Sequence, residues 1–419
     1  MGYNVIEKLH SVEDARRLLD RVLDTPREER APLLESLGRV SSRRVTSPTD
    51  IPPYNRSVLD GYAARWIDVS LASEEAPARL RLAGRIDIDE GSPPRIEPNT
   101  CYEVATGSPL PEGADVVIPI EYAEARGGYV NIYKGFPGGY GVSLQGEDLR
   151  AGDLIIDRGE VVGEWHIGVL ASVGMDSVNV WSRFRVAVVS TGRELIEPGA
   201  RYTPGKVYAS TGRLVVAYLR ARGVDARYYG ILPDSEEEIA RFILDALERH
   251  DAVMTTGGTS VGRGDATIRA LKSISEDLIH GLALTPGRPG AVAVVRGKPV
   301  MALSGMPVAA VSELIAVWDP VYRGKLGRSI PWEQVVRGRM TRPYSSHPGM
   351  MNVVRTYSCI EGDRVKVTPL RVTGSGILST LIKANSIMII PEDVTGIEEG
   401  EEVEVLLTGP LAGCRGDGV

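Results

Sequence analysis

At 419 residues, 43% hydrophobic and 25% charged, the chain has room for about three domains of roughly 100–200 residues and enough apolar side chains to give each a core. A net charge of −7 speaks against general nucleic-acid binding, which needs a basic face, and no apolar run approaches the ~20 residues of a membrane-crossing helix. The opening MGYNVIEKLH lacks the apolar centre of a signal peptide, so the expected location is cytoplasmic, with neither nucleic acid nor membrane as partner.

From the N-terminus, Ser11 is placed to cap a helix with Val12, Ala15, Leu18, Leu19 and Val22 on one face, and a second helix is expected to end at Gly38. The proline-stiffened run Ile51 to Ala63 carries Asn55, Ser57 and Asp60 ahead of Gly61; as an Asp-Gly pair it also reads as a plain turn. From Ala83 to Tyr140, short alternating runs broken by glycine and proline predict a small β-rich lobe, with Thr106 in its turn-rich part. The adjacent carboxylates of Glu147 and Asp148 repel unless they are solvated or bridged by a cation.

The next segment alternates strands and helices. Val186 to Val189 is an apolar run ending at Ser190-Thr191-Gly192-Arg193-Glu194, Ser210 precedes a helical pattern that stops at Gly223, and Val224 to Leu232 is strand-like and ends before Asp234. Ser235 and Glu238 form a capping box ahead of Ile239, Phe242, Ile243 and Leu247. Then Met254 to Thr267, MTTGGTSVGRGDAT, reads as a strand ending in an anion cradle, because Gly257, Gly258, Gly262 and Gly264 let the backbone approach a ligand closely. The spacing is neither a Walker loop nor a Rossmann loop, and a surface turn is the plainer alternative. Asp265 would worsen a purely anionic site, which suggests a divalent cation or a protonated ligand group beside the anion. This βαβαβ order predicts a parallel sheet with helices on both faces, whose carboxyl ends bring Thr191, Glu194, Asp234, Ser260 and Asp265 toward one site.

Arg337 to Leu407 shows short β-patterned runs and predicts a separate barrel or sandwich, with Gly374 to Leu381 as a loop leading into a short helix and Ala412 to Val419 as a frayed tail. Cys101, Cys359 and Cys414 are odd in number and far apart, so reduced thiols are expected and neither a disulfide framework nor a zinc site is indicated. The scattered His10, His166, His250, His280 and His347 show no ligand spacing for an imidazole-held metal.

IPPYNRSVLDGYAAR, ATGSPLPEGADVVIPIE, GEDLRAGD, VVSTGREL, TTGGTSVGRGD and GSGILSTLIKANSIMIIPED occur in the order seen in the molybdopterin molybdenumtransferases of the MoeA type, a family found also as the E domain of gephyrin, and the chain resembles that family over nearly its whole length. The resemblance implies a multidomain α/β plus β fold: an N-terminal region (1–183) with an elongated β-rich lobe at about 80–145, a Mog-like doubly wound molybdopterin-binding α/β domain (184–329), a C-terminal β-barrel (330–410) and a tail (411–419). It further implies a homodimer whose cleft lies between the α/β domain of one subunit and the lobe of the other. The implied chemistry is Mg²⁺-dependent insertion of molybdate, or tungstate, into adenylylated molybdopterin with release of AMP. A Mog-type adenylyltransferase and molybdopterin-accepting enzymes would be partners.

On that resemblance, Asp60, Thr106, Glu147, Asp148, Glu194, Asp234 and Asp265 would carry the catalysis, with Asp60, Asp148, Asp234 and Asp265 as candidate Mg²⁺ ligands. Ser57, Thr191, Gly257, Gly258, Ser260, Gly262, Pro286, Arg288, Gly305 and Pro307 would hold the pterin and its phosphates. The chain also departs from the family pattern. Ser143-Leu144-Gln145 stands where arginines usually precede GED, Thr285 where a lysine is usual, Arg56 within the family's DNS element, and Met306 where LPGNP has asparagine. Arg56 and Arg288 would restore part of the lost positive charge. Two other readings follow from these departures and from gephyrin: a paralogue that holds molybdopterin or an oxyanion without turnover, and a scaffold protein. The retained acids favour turnover, and a scaffold would be expected to carry a long partner-binding extension, which is not seen here.

Overall fold

The computed structural model describes residues 8–89, 91, 93–259, 266–327, 334–370 and 376–414. The N-terminal helix Val12–Val22 forms where expected, with the Ser11 hydroxyl accepting from the Asp14 amide at 3.1 Å and Glu13 and Asp14 in the first turn. It buries Val12, Ala15, Leu18 and Leu19 in the same core as Val186, Val188, Leu314 and Trp318, so this first element packs on the α/β sheet. The helix expected before Gly38 is only a 3₁₀ turn, Leu34–Ser36. Leu34 and Leu37 are exposed there, so no apolar face stabilises further turns.

Two strands, Glu28–Pro32 and Ser177–Trp181, pair antiparallel and with the helix Glu164–Ser172 enclose a small core of Ile156, Val162, Leu170, Val178 and Val180. The β-rich lobe is one six-stranded sheet, ordered Val116–Pro119, Gly61–Ala64, Thr100–Val104, Ala78–Ile86, Tyr129–Ile132, Ala123–Arg126. Gly61–Ala64, which follows the Asp60 turn, is thus an inner strand of this sheet. Its pairing with Val116–Pro119 leaves no room for a Cβ at Gly61, which would stand 2.0 Å from the Ile118 carbonyl oxygen.

In the α/β domain Asp225–Leu232, Arg185–Thr191, Ala252–Thr256 and Lys298–Leu303 run parallel in that order. The sheet is mixed, because Ala291–Val295 adds antiparallel beside Lys298–Leu303 and Asp277–His280 antiparallel beside that. Helices cover both faces. Val215, Leu219, Leu314 and Trp318 lie in one core, and Ile239, Ile243, Leu247, Ile268 and Leu271 in the other. Ser235 caps its helix by accepting from the Glu238 amide, whereas Ser210 is itself αR in conformation and makes no side-chain cap bond to Thr211–Arg220.

The C-terminal strands close a barrel. Gln334–Met340 pairs with Glu402–Leu407, that with Ser386–Ile390, that with Met351–Glu361, that with Arg364–Pro369, and Arg364–Pro369 returns to Gln334–Met340. Met340, Val354, Val367, Met388 and Val405 fill it. The expectation of reduced thiols fails for Cys359 and Cys414, and that of a frayed tail fails for Ala412 to Cys414, while residues 415–419 lie outside the described ones. Ala412–Gly413 pairs parallel with Cys359–Ile360, and Cys359 and Cys414 form a disulfide. Fifty-five residues separate these cysteines in sequence, and only the barrel strand that carries Cys359 brings them together. Cys101 is a free, buried thiol that burial pushes up to about 12, which leaves it inert. Among the described residues no helix is long and apolar enough to cross a membrane.

Candidate active-site cleft

A cleft of about 1190 Å³ opens at the carboxyl ends of the parallel strands, between the α/β domain and the barrel. Its floor needs glycine. Gly257 and Gly258 have φ of 96° and 63°; a Cβ on the first would lie 2.4 Å from the Thr191 carbonyl oxygen and on the second 2.4 Å from Thr267 Oγ1. Gly305 packs against the first of these, since a Cβ there would stand 3.4 Å from the Gly257 Cα. A run of buried hydroxyls supports the floor: Ser190 Oγ lies 3.0 Å from Thr256 Oγ1, and Thr191 Oγ1 lies 3.3 Å from Thr267 Oγ1.

Thr191, Glu194, Gly257, Gly258, Pro286, Arg288, Gly305 and Pro307 all line this cleft. Thr285 and Met306 line it too, the latter more than half exposed, so two of the departures lie on the wall itself. Asp234 is not in the lining. Its carboxylate accepts from the Arg193 amide at 3.2 Å and holds the loop that presents Glu194. Ser260, Gly262 and Asp265 lie outside the described residues.

Under the wall, Glu313 is completely buried and accepts from the Ser304 amide and hydroxyl. Burial raises its carboxyl to about 8, against the lowering effect of those two bonds, so it is neutral at pH 7. A Cβ on Gly290 would meet its carboxyl carbon at 2.9 Å, and one on Gly287 its Cγ at 3.0 Å. Glu313 therefore props both cleft loops, 285–290 and 304–307, from below.

The remaining predicted residues gather at one end of the lobe. Ser57 and Arg56 pair with Val142 and Ser143, and the Ser57 amide donates to the Ser108 carbonyl, so the loops bearing Asp60, Thr106, Glu147 and Asp148 are stitched together. Asp60 Oδ1 accepts from the Thr106 amide at 2.7 Å and hydroxyl at 2.9 Å, and these bonds hold its carboxyl below the usual range. Glu147 accepts from the Ser143 hydroxyl and from the Leu144 amide at 2.8 Å and is likewise lowered, with Arg56 as a smaller contribution. Ser57 is buried, and its hydroxyl donates to the Leu59 carbonyl. Asp148, Leu144 and Thr106 are exposed. Among the described residues, every one that lines the cleft lies between Ser190 and Leu378, and none belongs to the lobe of the same chain.

The sequence reading missed the barrel side of the cleft: Tyr344, His347, Met350 and Arg355 form it. They arrive because Leu284–Thr285 pairs parallel with Met351 and Asn352, a long-range register that no periodicity encodes. It also missed Ser210 and Thr211. Thr211 Oγ1 donates to the Gly305 carbonyl at 2.7 Å, and both residues line the wall. Their signal was present in a hydroxyl pair at a helix start on the ligand edge of the sheet.

A glycine-floored cleft at the strand ends of a mixed α/β sheet, roofed by a five-stranded barrel and joined to an acid-bearing β lobe, defines a three-part ligand-processing protein. Models of the MoeA N-terminal region (domains I and II), the probable molybdopterin binding domain and the MoeA C-terminal region (domain IV) match residues 10–174, 187–322 and 337–408. A molybdopterin biosynthesis protein of Methanocaldococcus jannaschii is 32% identical over 90% of this chain and 91% of that protein. A molybdopterin molybdenumtransferase of Staphylococcus epidermidis is 30% identical over 89% of this chain and 90% of that one. A solved molybdopterin biosynthesis MoeA protein from Pyrococcus horikoshii superposes with a TM-score of 0.82 at 31% identity, covering 96% of this chain and 100% of that chain. The chain belongs to the MoeA family.

Proposed function

We propose that this protein is a molybdopterin molybdenumtransferase of molybdenum cofactor biosynthesis, which inserts molybdate, or tungstate, into adenylylated molybdopterin and releases AMP. The observation that carries the reading is the division of labour between the cleft and the lobe. The cleft offers a glycine floor and the arginines Arg288 and Arg355, while the acids Asp60, Glu147 and Asp148 lie on a lobe that contributes nothing to the cleft of its own chain. A homodimer that sets the lobe of one subunit over the cleft of the other would complete the site.

In this reading the glycine turn, through the Gly258 backbone N–H, and the Arg288 guanidinium hold the phosphates, while the Gly257 N–H stays bonded to the Leu303 carbonyl and fixes the turn, and Glu194 meets N–H donors of the pterin. The dithiolene of the substrate supplies soft ligands to the incoming metal, so the cleft needs no cysteine. Thr106 hydrogen-bonds the oxyanion. Glu147 has both oxygens engaged by its own loop, which leaves exposed Asp148 better suited to activate water for phosphoanhydride cleavage. Asp60, Asp148, Asp234 and Asp265 fit Mg²⁺ as a donor set, since all are carboxylates and both Thr106 bonds to Asp60 fall on Oδ1. Bound there, Mg²⁺ would offset the charge of the phosphoanhydride.

The test is to incubate the protein with adenylylated molybdopterin, Mg²⁺ and either oxyanion, and to follow AMP and metal incorporation. Stoichiometric AMP release coupled to metal uptake is expected. Tight binding without AMP would instead support the non-catalytic paralogue, the reading that Thr285 and Met306 on the cleft wall favour.

A further inference from the structure

The barrel presents a turn to the cleft, Ser346 to Met350, and His347 is exposed on it and lines the cleft. Asn352, fully buried, holds this turn from beneath. Asn352 Oδ1 accepts from the His347 amide at 3.2 Å, and Nδ2 donates to the Met350 carbonyl at 2.7 Å and to the His347 carbonyl at 3.5 Å. The Met350 amide also donates to the His347 carbonyl, the Gly349 amide to the Glu392 carbonyl, and Ser346 Oγ to the Val394 carbonyl. Asn352 in turn stands opposite Thr285 in register. One buried carboxamide therefore sets His347 in a common frame with the 285–290 loop that carries Arg288.

Burying a carboxamide is costly unless its donors and acceptor are met, and here every one of its bonds falls on the turn. The turn is therefore rigid where it meets the cleft. The other ionisable side chains on the described lining are Glu194, Arg288, Arg355, Tyr208 and Tyr344. Glu392 and Asp393 lie in the loop under the turn, and the Glu392 carboxylate faces the Val12 amide at 3.4 Å. A guanidinium keeps its proton, burial pushes the Tyr344 phenol further up, and imidazole is the side chain that gives and takes a proton between about pH 5 and 8. We propose that His347 is the proton-transfer residue of the cleft, with Asn352 as its positioning residue. The proposal deepens the molybdenumtransferase reading and rests on it for the step that is served. In that step the dithiol form of the pterin and one molybdate give the dithiolene-bound trioxo metal and one water. Two metal–sulfur bonds form, one metal–oxygen bond breaks, both thiol protons leave on the departing oxygen, and the metal keeps its oxidation state. Bare oxide is not a leaving group, so the oxygen must be protonated before it departs. His347 as imidazolium gives it a proton and then takes one back from a thiol.

The experiment follows metal incorporation from molybdate and adenylylated molybdopterin by the full-length protein, His347→Ala, Asn352→Ala and the double variant from pH ~5 to ~9, with thermal unfolding as the check on folding. His347→Ala should lower kcat about a hundredfold with KM little changed. The parent's kcat should fall as rising pH removes the imidazolium, and the variant should lack that limb. Added imidazole should restore part of the variant's rate, which no loss of structure would allow. Asn352→Ala should cost about tenfold in kcat in the parent and nothing further in the His347→Ala background, because it acts through the imidazole. His347 is exposed, so its variant is expected to fold and decides the proposal even where Asn352→Ala does not fold. A His347→Ala protein with the parent's kcat and pH profile overturns the proposal and leaves the molybdenumtransferase reading intact. So does a loss of rate that imidazole does not rescue and that leaves the pH profile unchanged. Further loss from Asn352→Ala in the His347→Ala background overturns the positioning role. A parent that takes up no metal removes the molybdenumtransferase reading, and the proton step falls with it.

Discussion

The cleft and the lobe carry opposite halves of one chemistry. Among the described residues of the cleft, Arg288 and Arg355 outnumber the one lining carboxylate, Glu194, and one of these two guanidinium groups is buried without an acceptor. On the lobe, Asp60 and Glu147 are held ionised by hydroxyl and amide donors from their own loops, with pKa values below the usual carboxylate range. The first surface waits for negative charge. The second has its negative charge preset and aimed at solvent, at the meeting point of the Ser57, Thr106 and Ser143 loops. A site assembled from both would have charge balance that neither surface has alone, which is the physical case for a shared cleft.

The strongest attempt to break that comparison is subunit complementation. Asp60→Ala should abolish turnover through the lobe, with a loss of about a hundredfold or more if the carboxylate acts in the chemical step. Glu194→Ala should do the same through the cleft, which it lines. Mixing the two inactive proteins under subunit exchange should restore about a quarter of parental AMP release, because half of the dimers are mixed and each has one intact cleft. Demonstrated exchange without recovered activity would show that cleft and lobe of the same chain work together.

A second comparison contrasts the two ends of the barrel strand Met351–Glu361. Its start forms the cleft wall, and its far end is clamped by the Cys359–Cys414 disulfide and the short strand Ala412–Gly413. In the chain-entropy account, closing a loop of this length stabilises the fold by about 4 kcal/mol. Cys359→Ser should therefore lower the melting temperature markedly and reduce the barrel's resistance to proteolysis. Anion binding at the other end should be retained at temperatures where the variant is folded. If reduction of the parent leaves its melting curve unchanged, the clamp contributes nothing to stability.

Legibility in sequence followed locality. The helices at Val12–Val22 and Glu236–Leu247 could be read because their caps and apolar stripes lie within a few residues of one another. The glycine floor and Glu194 stood out because a parallel strand leaves its ligand-facing residues directly after its apolar run. Ser210 marks a helix start in sequence, but the same local pattern does not show that its backbone is αR and its side chain makes no cap bond. The barrel wall and the disulfide were not legible at all. Arg355 looks in sequence like any arginine in a strand, and its character comes from Leu284–Thr285 pairing with Met351 and Asn352 and from the burial that follows.

The smallest expected effect concerns the prop beneath the cleft. Glu313 is buried and its carboxyl is raised to about 8, while an unfolded glutamate titrates near 4.5. Between those values the folded protein keeps a proton that the unfolded chain releases, so this group makes stability fall as pH rises, by up to about 1.4 kcal/mol per pH unit. Below pH ~4.5 both states are protonated and the group contributes no slope. Glu313→Gln keeps the shape of the neutral acid and can accept from the Ser304 amide through its oxygen while its NH₂ donates to the Ser304 hydroxyl, the reverse of the bond Glu313 accepts there, yet it cannot ionise. The variant should therefore match the parent at pH ~4 and become progressively more stable than it toward pH ~8, with anion affinity unchanged at pH ~5 and better kept at pH ~8. That outcome would show that the cleft surface, unlike the ionised lobe, depends on a carboxyl group staying neutral beneath it. Parallel denaturation midpoints for the two proteins from pH 5 to 8 would show instead that Glu313 titrates normally and that the 285–290 and 304–307 loops are held apart from its protonation.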